Sequence, residues 1–194
     1  SILTNACWSL YGEQPGDDTT VLAVKKRKRR PVNIMVGPPV DKERDEAVVR
    51  EFMSLPGEKI VCGGTSSQVV ARVLGRELST SFDYPDKDVP PIGYIDGIDL
   101  VCEGVLTLKK VLQYADMYAN AAYPGIKQFK GRDGASLLSQ ELFVNATDVT
   151  IFFGRNVNLA HEGLNIDNKT KLDSVTRLAD ILQGLGKRVT VKYN

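Results

Sequence analysis

The chain has 194 residues, 42% of them hydrophobic and 25% charged, and its 25 Lys and Arg against 24 Asp and Glu leave a net charge of +1. That length and apolar content suit one ordinary domain with a buried core and something attached to it. The near-neutral balance gives no field to gather nucleic acid, no apolar run approaches the ~20 residues of a bilayer span, and the first residues lack the basic-then-apolar order of a signal peptide. Neither nucleic acid nor a membrane is expected as a partner. Cys7, Cys62 and Cys102 are odd in number and widely spaced, which argues against a disulfide framework or a metal knuckle and predicts a reducing, cytoplasmic setting. The glycosylation sequons at Asn145 and Asn168 have meaning only in a secreted chain and are discounted.

Along the first 26 residues, Ile2, Leu3, Ala6, Cys7 and Leu10 recur at helical spacing, Gly12 and Gly16 punctuate, and 19–24 is β-branched and apolar. A helix, a loop and a strand are predicted, too short to fold alone. Their apolar side chains need a partner surface, and a second copy of the chain, giving a homodimer, is a candidate. The six cations KKRKRR at 25–30 then run into Pro31. Six adjacent like charges stay in water, and a proline disfavours helix before it, so the run reads as a domain boundary and linker. The alternative is a contact for nucleic acid or an acidic partner, but no aromatic is interleaved.

From Pro31 the pattern alternates. Strands are predicted at 32–36, 59–62, 98–102, 148–153 and 189–193, and helices at 41–55, 66–74, 107–121, 134–145 and 171–185. The proline-bearing stretch 78–91 reads as an irregular surface segment. The fold class expected is α/β, a mostly parallel sheet flanked by helices on both faces.

Four of these strands run directly into glycine, at Gly37, Gly63, Gly104 after Glu103, and Gly154. In a parallel sheet those ends share one edge, where glycine lets backbone approach a ligand. The loop Gly63-Gly64-Thr65-Ser66-Ser67 combines two glycines, three hydroxyls and a helix start, which suits a phosphate or carboxylate. The plainer reading is that Thr65 or Ser66 caps the helix. The loop matches neither the phosphate-binding loop, which needs a Lys before the hydroxyl, nor the dinucleotide fingerprint. Arg155 and Asn156 fall on the same edge as a charged clamp for a small anionic ligand. Glu103 and Gly104 complete the candidate set, Glu103 as an acceptor for a ribose or amine. Asp133 is a helix-capping candidate. His161 is the only histidine, so a His-based triad or multi-histidine zinc centre cannot be assembled. Cys62 and Cys102 read as small core residues, with a redox pair as the alternative if their strands are neighbours.

The text "ACWSLYGEQPGDDTTVLAV" resembles the close of the catalytic domain of metal-dependent serine/threonine protein phosphatases, specifically the stage II sporulation protein E-like branch. The resemblance implies that Asp17 is a ligand to a Mn²⁺ or Mg²⁺ centre, with Asp18 in the neighbouring slot. The remaining ligands would lie upstream of Ser1. A turn-forming pair of acids at the mouth of a strand has the same local appearance. The stretches "IVCGGTSS", "GIDLVCEGVLTL" and "TIFFGRNVN" resemble the extra domain appended to some of these phosphatases. On this reading 1–30 is the end of a phosphatase domain with a basic linker, and 31–194 is an appended regulatory or ligand-binding domain. The parent would dephosphorylate phosphoserine and phosphothreonine proteins, and this fragment would be inactive alone, since one carboxylate cannot hold two metal ions. The alternative is an independent α/β enzyme acting on an anionic metabolite, with Glu103 as acid or base.

Overall fold

A computed structural model of the chain describes residues 2–14, 16, 22, 24, 26–120, 129, 131–155 and 168–194. Among them seven strands form one sheet: β1 Pro31–Val36, β2 Glu58–Cys62, β3 Ser79–Thr80, β4 Gly93–Tyr94, β5 Leu100–Cys102, β6 Asp148–Phe153 and β7 Arg188–Tyr193. The helices are α1 Ile2–Leu10, α2 Asp45–Ser54, α3 Gly64–Leu74, α4 Val105–Ala119, α5 Gly134–Ser139 and α6 Asn168–Gly184, with α5 continuing into a π-helical turn over Gln140–Asn145. None of them is long and apolar enough to cross a membrane.

The strand order is β3-β4-β5-β2-β1-β6-β7, with β1 parallel to β2 and β6, β2 parallel to β5, and β6 parallel to β7. Alternation along the strands explains the layers. Val32, Ile34, Ile60, Leu100, Ile151 and Phe153 face one way, onto Leu108 and Val111 of α4, Leu138 of α5, and Val175, Leu178 and Leu182 of α6. Met35, Val61, Val101 and Phe152 face the other way, onto Val48, Val49 and Phe52 of α2 and Val70 and Ala71 of α3. Helices therefore cover both faces, as a parallel sheet requires. Taken in chain order, the five parallel strands stand 3-2-1-4-5 across the sheet. This is a doubly wound arrangement whose direction reverses between β1 and β6, with all five carboxyl ends on one edge.

Two segments differ from the sequence expectation. The stretch 78–91 is not wholly irregular, because Ser79 and Thr80 pair antiparallel with Tyr94 and Gly93, and Gly93 pairs with Val101. Strands of two residues are too short to leave a periodic signal. The basic run is also more than a solvated linker. Arg27 donates to the carbonyls of Val144 and Asn145, at 2.8 and 3.4 Å, Arg29 grips Asp148 with two bonds of 2.7 and 3.2 Å, and Arg30 pairs with Glu58 at 3.5 Å. The backbone N–H of Arg30 also donates to Thr147 Oγ1 at 2.8 Å. The run thus crosses the amino edge of the sheet as a strap, held by carboxylates and by carbonyls left open at the end of the π turn. Before it, α1 leaves Ile2 and Leu10 exposed, and Leu22 and Val24 are exposed and outside any strand. The rest of the strand expected over 19–24 lies outside the described residues.

Asp148 is the hub of the strap. It receives Arg29, Arg188 at 3.4 Å and the Thr147 hydroxyl at 2.7 Å. The hydrogen bond from Arg29, then that from Thr147, hold its carboxyl below the usual range. A depressed folded value makes this contribution complete above the unfolded value of about 3.9 and loses it as pH falls through the folded one. The difference in urea midpoint between wild type and Asp148→Asn should therefore be largest near neutral pH and shrink as pH drops toward about 3. A second prediction concerns the carboxyl edge, where a Cβ added at Gly154 would lie 2.0 Å from the Pro38 carbonyl oxygen while one at Gly64 would meet nothing within 4 Å. Gly154→Ala should cost roughly 2–4 kcal/mol in urea denaturation, and Gly64→Ala should change stability by no more than about 0.5 kcal/mol.

Candidate anion-binding site

The crevice at the point of strand-order reversal, a common ligand position in such sheets, is closed here by backbone. Gly37 has φ +79°, and a Cβ on it would lie 2.4 Å from the Gly154 carbonyl oxygen. Gly154 N–H donates to Val36 O at 2.9 Å, which draws the two loops together. The opening is shifted to the other side of β1, over the ends of β2 and β5.

There Gly63 and Gly104 face one another: Gly63 N–H donates to Cys102 O at 2.8 Å, and a Cβ on Gly104 would come within 3.1 Å of Gly63 Cα. Two missing side chains leave a hollow between the starts of α3 and α4. A cavity of about 50 Å³ occupies it, lined by Val36, Gly37 and Pro38 at the end of β1, by 62–66 at the β2–α3 turn, by 103–105 and Leu108 at the start of α4, and by Lys171. That is room for a few waters, at ~15 Å³ each.

Sequence reasoning placed Gly63, Gly64, Thr65, Ser66, Glu103 and Gly104 in the site, and all six line this cavity. Gly63 is the N-cap of α3, with φ +126° and no side chain to cap the helix. The amides of the first turn point out of the helix end, backed by the positive end of its dipole. Gly64 stands before open space. Ser66 is 1% exposed, and its Oγ has no hydrogen-bond partner. That Oγ lies 3.3 Å from where a Cβ on Gly63 would stand, so it faces the hollow. Ser67 behaves differently: its N–H and its hydroxyl both donate to Gly63 O at 2.9 Å, a bond back into its own helix, and it does not line the cavity.

Glu103 is occupied. Its carboxylate accepts Val105 N–H at 3.3 Å and Leu106 N–H at 3.0 Å, so it caps α4. Arg155 is exposed and continues β6 toward the chain end, its N–H donating to Asn194 O at 3.2 Å; it does not line the cavity. Asn156, His161, Asp17 and Asp18 lie outside the described residues. No group of three or more His, Cys, Asp or Glu able to hold a metal ion occurs among the described residues.

Among the described residues the cation at the cavity is Lys171, which the sequence reading did not single out. It belongs to the first turn of α6, about 100 residues from the Gly63 loop. A signal existed. Lys171 stands in the first turn of a helix that carries no acid there, and a cation in that turn opposes the dipole.

Cys62 and Cys102 are direct cross-strand neighbours, both buried and both free thiols. Cys62 Sγ donates to Glu103 O at 3.2 Å. Its hydrogen bond with Cys102, then burial, push its thiol well above the ordinary value. A buried, protonated thiol is a poor nucleophile, which makes the pair core packing, with Cys62 forming part of the cavity wall. In the native protein one thiol, Cys7, should react quickly with an aromatic disulfide reagent, and the other two should react only at the rate of unfolding. Asp133 is the N-cap of α5 as expected, accepting Ser136 N–H at 2.9 Å.

Comparison with known protein families, with characterised proteins and with solved structures finds no match.

Proposed function

We propose that residues 31–194 form a ligand-binding domain that seats a small anionic group, phosphate or carboxylate, at the N-terminus of α3. The observation that carries this reading is the buried Ser66 hydroxyl, unpartnered and turned to a hollow. An unmade hydrogen bond at such a group costs about 1–3 kcal/mol, which an anion accepting from it would recover. The first turn of α3, which starts from a glycine N-cap, and Lys171 across the cavity supply the complementary charge. The enzyme alternative is weakened because both oxygens of Glu103 are engaged at α4, and no nucleophile with a base is among the described residues that line the cavity.

In the longer protein this domain acts as the regulatory module of a bacterial metal-dependent phosphatase for phosphoserine and phosphothreonine proteins. Support comes from the resemblance of the residue text around Asp17 and of the appended segments. Asp17 would there contribute one of several ligands to Mn²⁺ or Mg²⁺, whose chemistry is to activate a water toward a phosphoryl group. The free thiols fit a cytoplasmic setting.

The test is thermal unfolding in rising inorganic phosphate and sulfate, because an anion bound to the native state raises the melting temperature by mass action. Lys171→Ala should weaken the fitted affinity roughly 10-fold or more, as expected of a charge-assisted contact of about 1.5–3 kcal/mol. Ser66→Ala should weaken it by roughly 3–10-fold. A melting temperature indifferent to both anions, or a shift that survives Lys171→Ala intact, would overturn the reading.

A further inference from the structure

A second chamber, of about 250 Å³, lies beside the first and shares two of its walls, Pro38 and Thr65. It runs between the β1–α2 loop and α3 and holds Lys42, Asp45, Gln68 and Arg72. Asp45 opens α2 and is 4% exposed. One of its carboxylate oxygens, Oδ2, is paired with Arg72, while Oδ1 is buried without any hydrogen-bond donor. An acceptor carrying charge in that position is among the costliest groups to leave unpaired.

Ser66 lines the first cavity and Asp45 the second, and the two cavities meet at Pro38 and Thr65. Ser66 is in the first turn of α3 and Arg72, which holds Asp45, is six residues further on, roughly 9 Å along the axis at ~1.5 Å per residue. Resting on the anion seat proposed above, we infer that the bound molecule is a phosphate ester of a polyol, whose phosphoryl group sits at α3 and Lys171 while a hydroxyl crosses the Pro38–Thr65 rim to donate to Asp45 Oδ1. A hydroxyl suits this acceptor better than an ammonium, because Lys42 and Arg72 stand in the same chamber and repel a cation. Sugar phosphates and nucleoside monophosphates share this chemistry, a phosphoryl group carried on a hydroxyl-bearing frame.

The experiment is calorimetric titration of the full chain with inorganic phosphate and two matched pairs. Ribose 5-phosphate is set against propyl phosphate, and adenosine 5′-monophosphate against its 2′,3′-dideoxy form. The hydroxylated member of at least one pair should bind 10-fold or more tightly than its partner, and which pair responds separates a sugar phosphate from a nucleotide. In Asp45→Asn that preference should collapse to under about 2-fold, with the affinity for inorganic phosphate retained. Should the variant fail to fold, the matched pairs on the wild type decide the matter. Phosphate binding with no preference in either pair would overturn this inference and leave the anion seat standing. So would a preference that persists in Asp45→Asn. No binding of phosphate or of any ester would overturn both.

Discussion

At the carboxyl edge of the sheet, backbone touches backbone. Gly37 meets Gly154, and Gly63 meets Gly104, at separations that a single Cβ on either side of the first contact would forbid. The first pair locks β1 to β6 and closes the place where a doubly wound sheet ordinarily opens. The second lets the starts of α3 and α4 converge with nothing between them but a hollow. Both effects come from the same sparing of side chains, and together they decide where a ligand can enter.

The two helix starts that converge there are treated differently. α4 is capped by the carboxylate of Glu103, which accepts the N–H groups of Val105 and Leu106 and supplies the negative charge its dipole prefers. α3 has glycine where a capping side chain would stand, and the hydroxyl that could have served, Ser66, faces the cavity instead. One helix start carries a carboxylate cap and the other has glycine in its place. Lys171, placed against the dipole of its own helix, is the cation that would balance an anion held at the start of α3. The floor beneath is apolar and inert, because the two thiols that end β2 and β5 are buried against each other.

The alternating strands and amphipathic helices were legible because burial on both faces leaves continuous apolar runs in β1, β2 and β6, and the glycines that end them marked the edge. Helix starts were less legible. Gly64 and Val105 are weak helix formers, so α3 and α4 were expected to begin two residues later than they do. That shift hid Glu103 as a cap and put Ser67 in the site, although its hydroxyl serves its own helix. Lys171 was missed because its meaning depends on a neighbour far away in the chain, and Arg155 was chosen for its place in sequence just past β6, while the cavity opened on the far side of β1. The basic run misled for a related reason: like charges in a row read as solvated unless the chain also reveals Asp148, Glu58 and open carbonyls waiting across the sheet edge.

The claim at the centre of this account is that an anion is held by the open end of α3 and not by the basic strap on the opposite edge. Amide chemical-shift mapping of the isotopically labelled chain during a phosphate titration separates the two directly. The account predicts saturable shifts confined to residues 63–66, Gly104 and the first turn of α6. Shifts that grow without saturation, or that centre on residues 25–30 and Asp148, would contradict it.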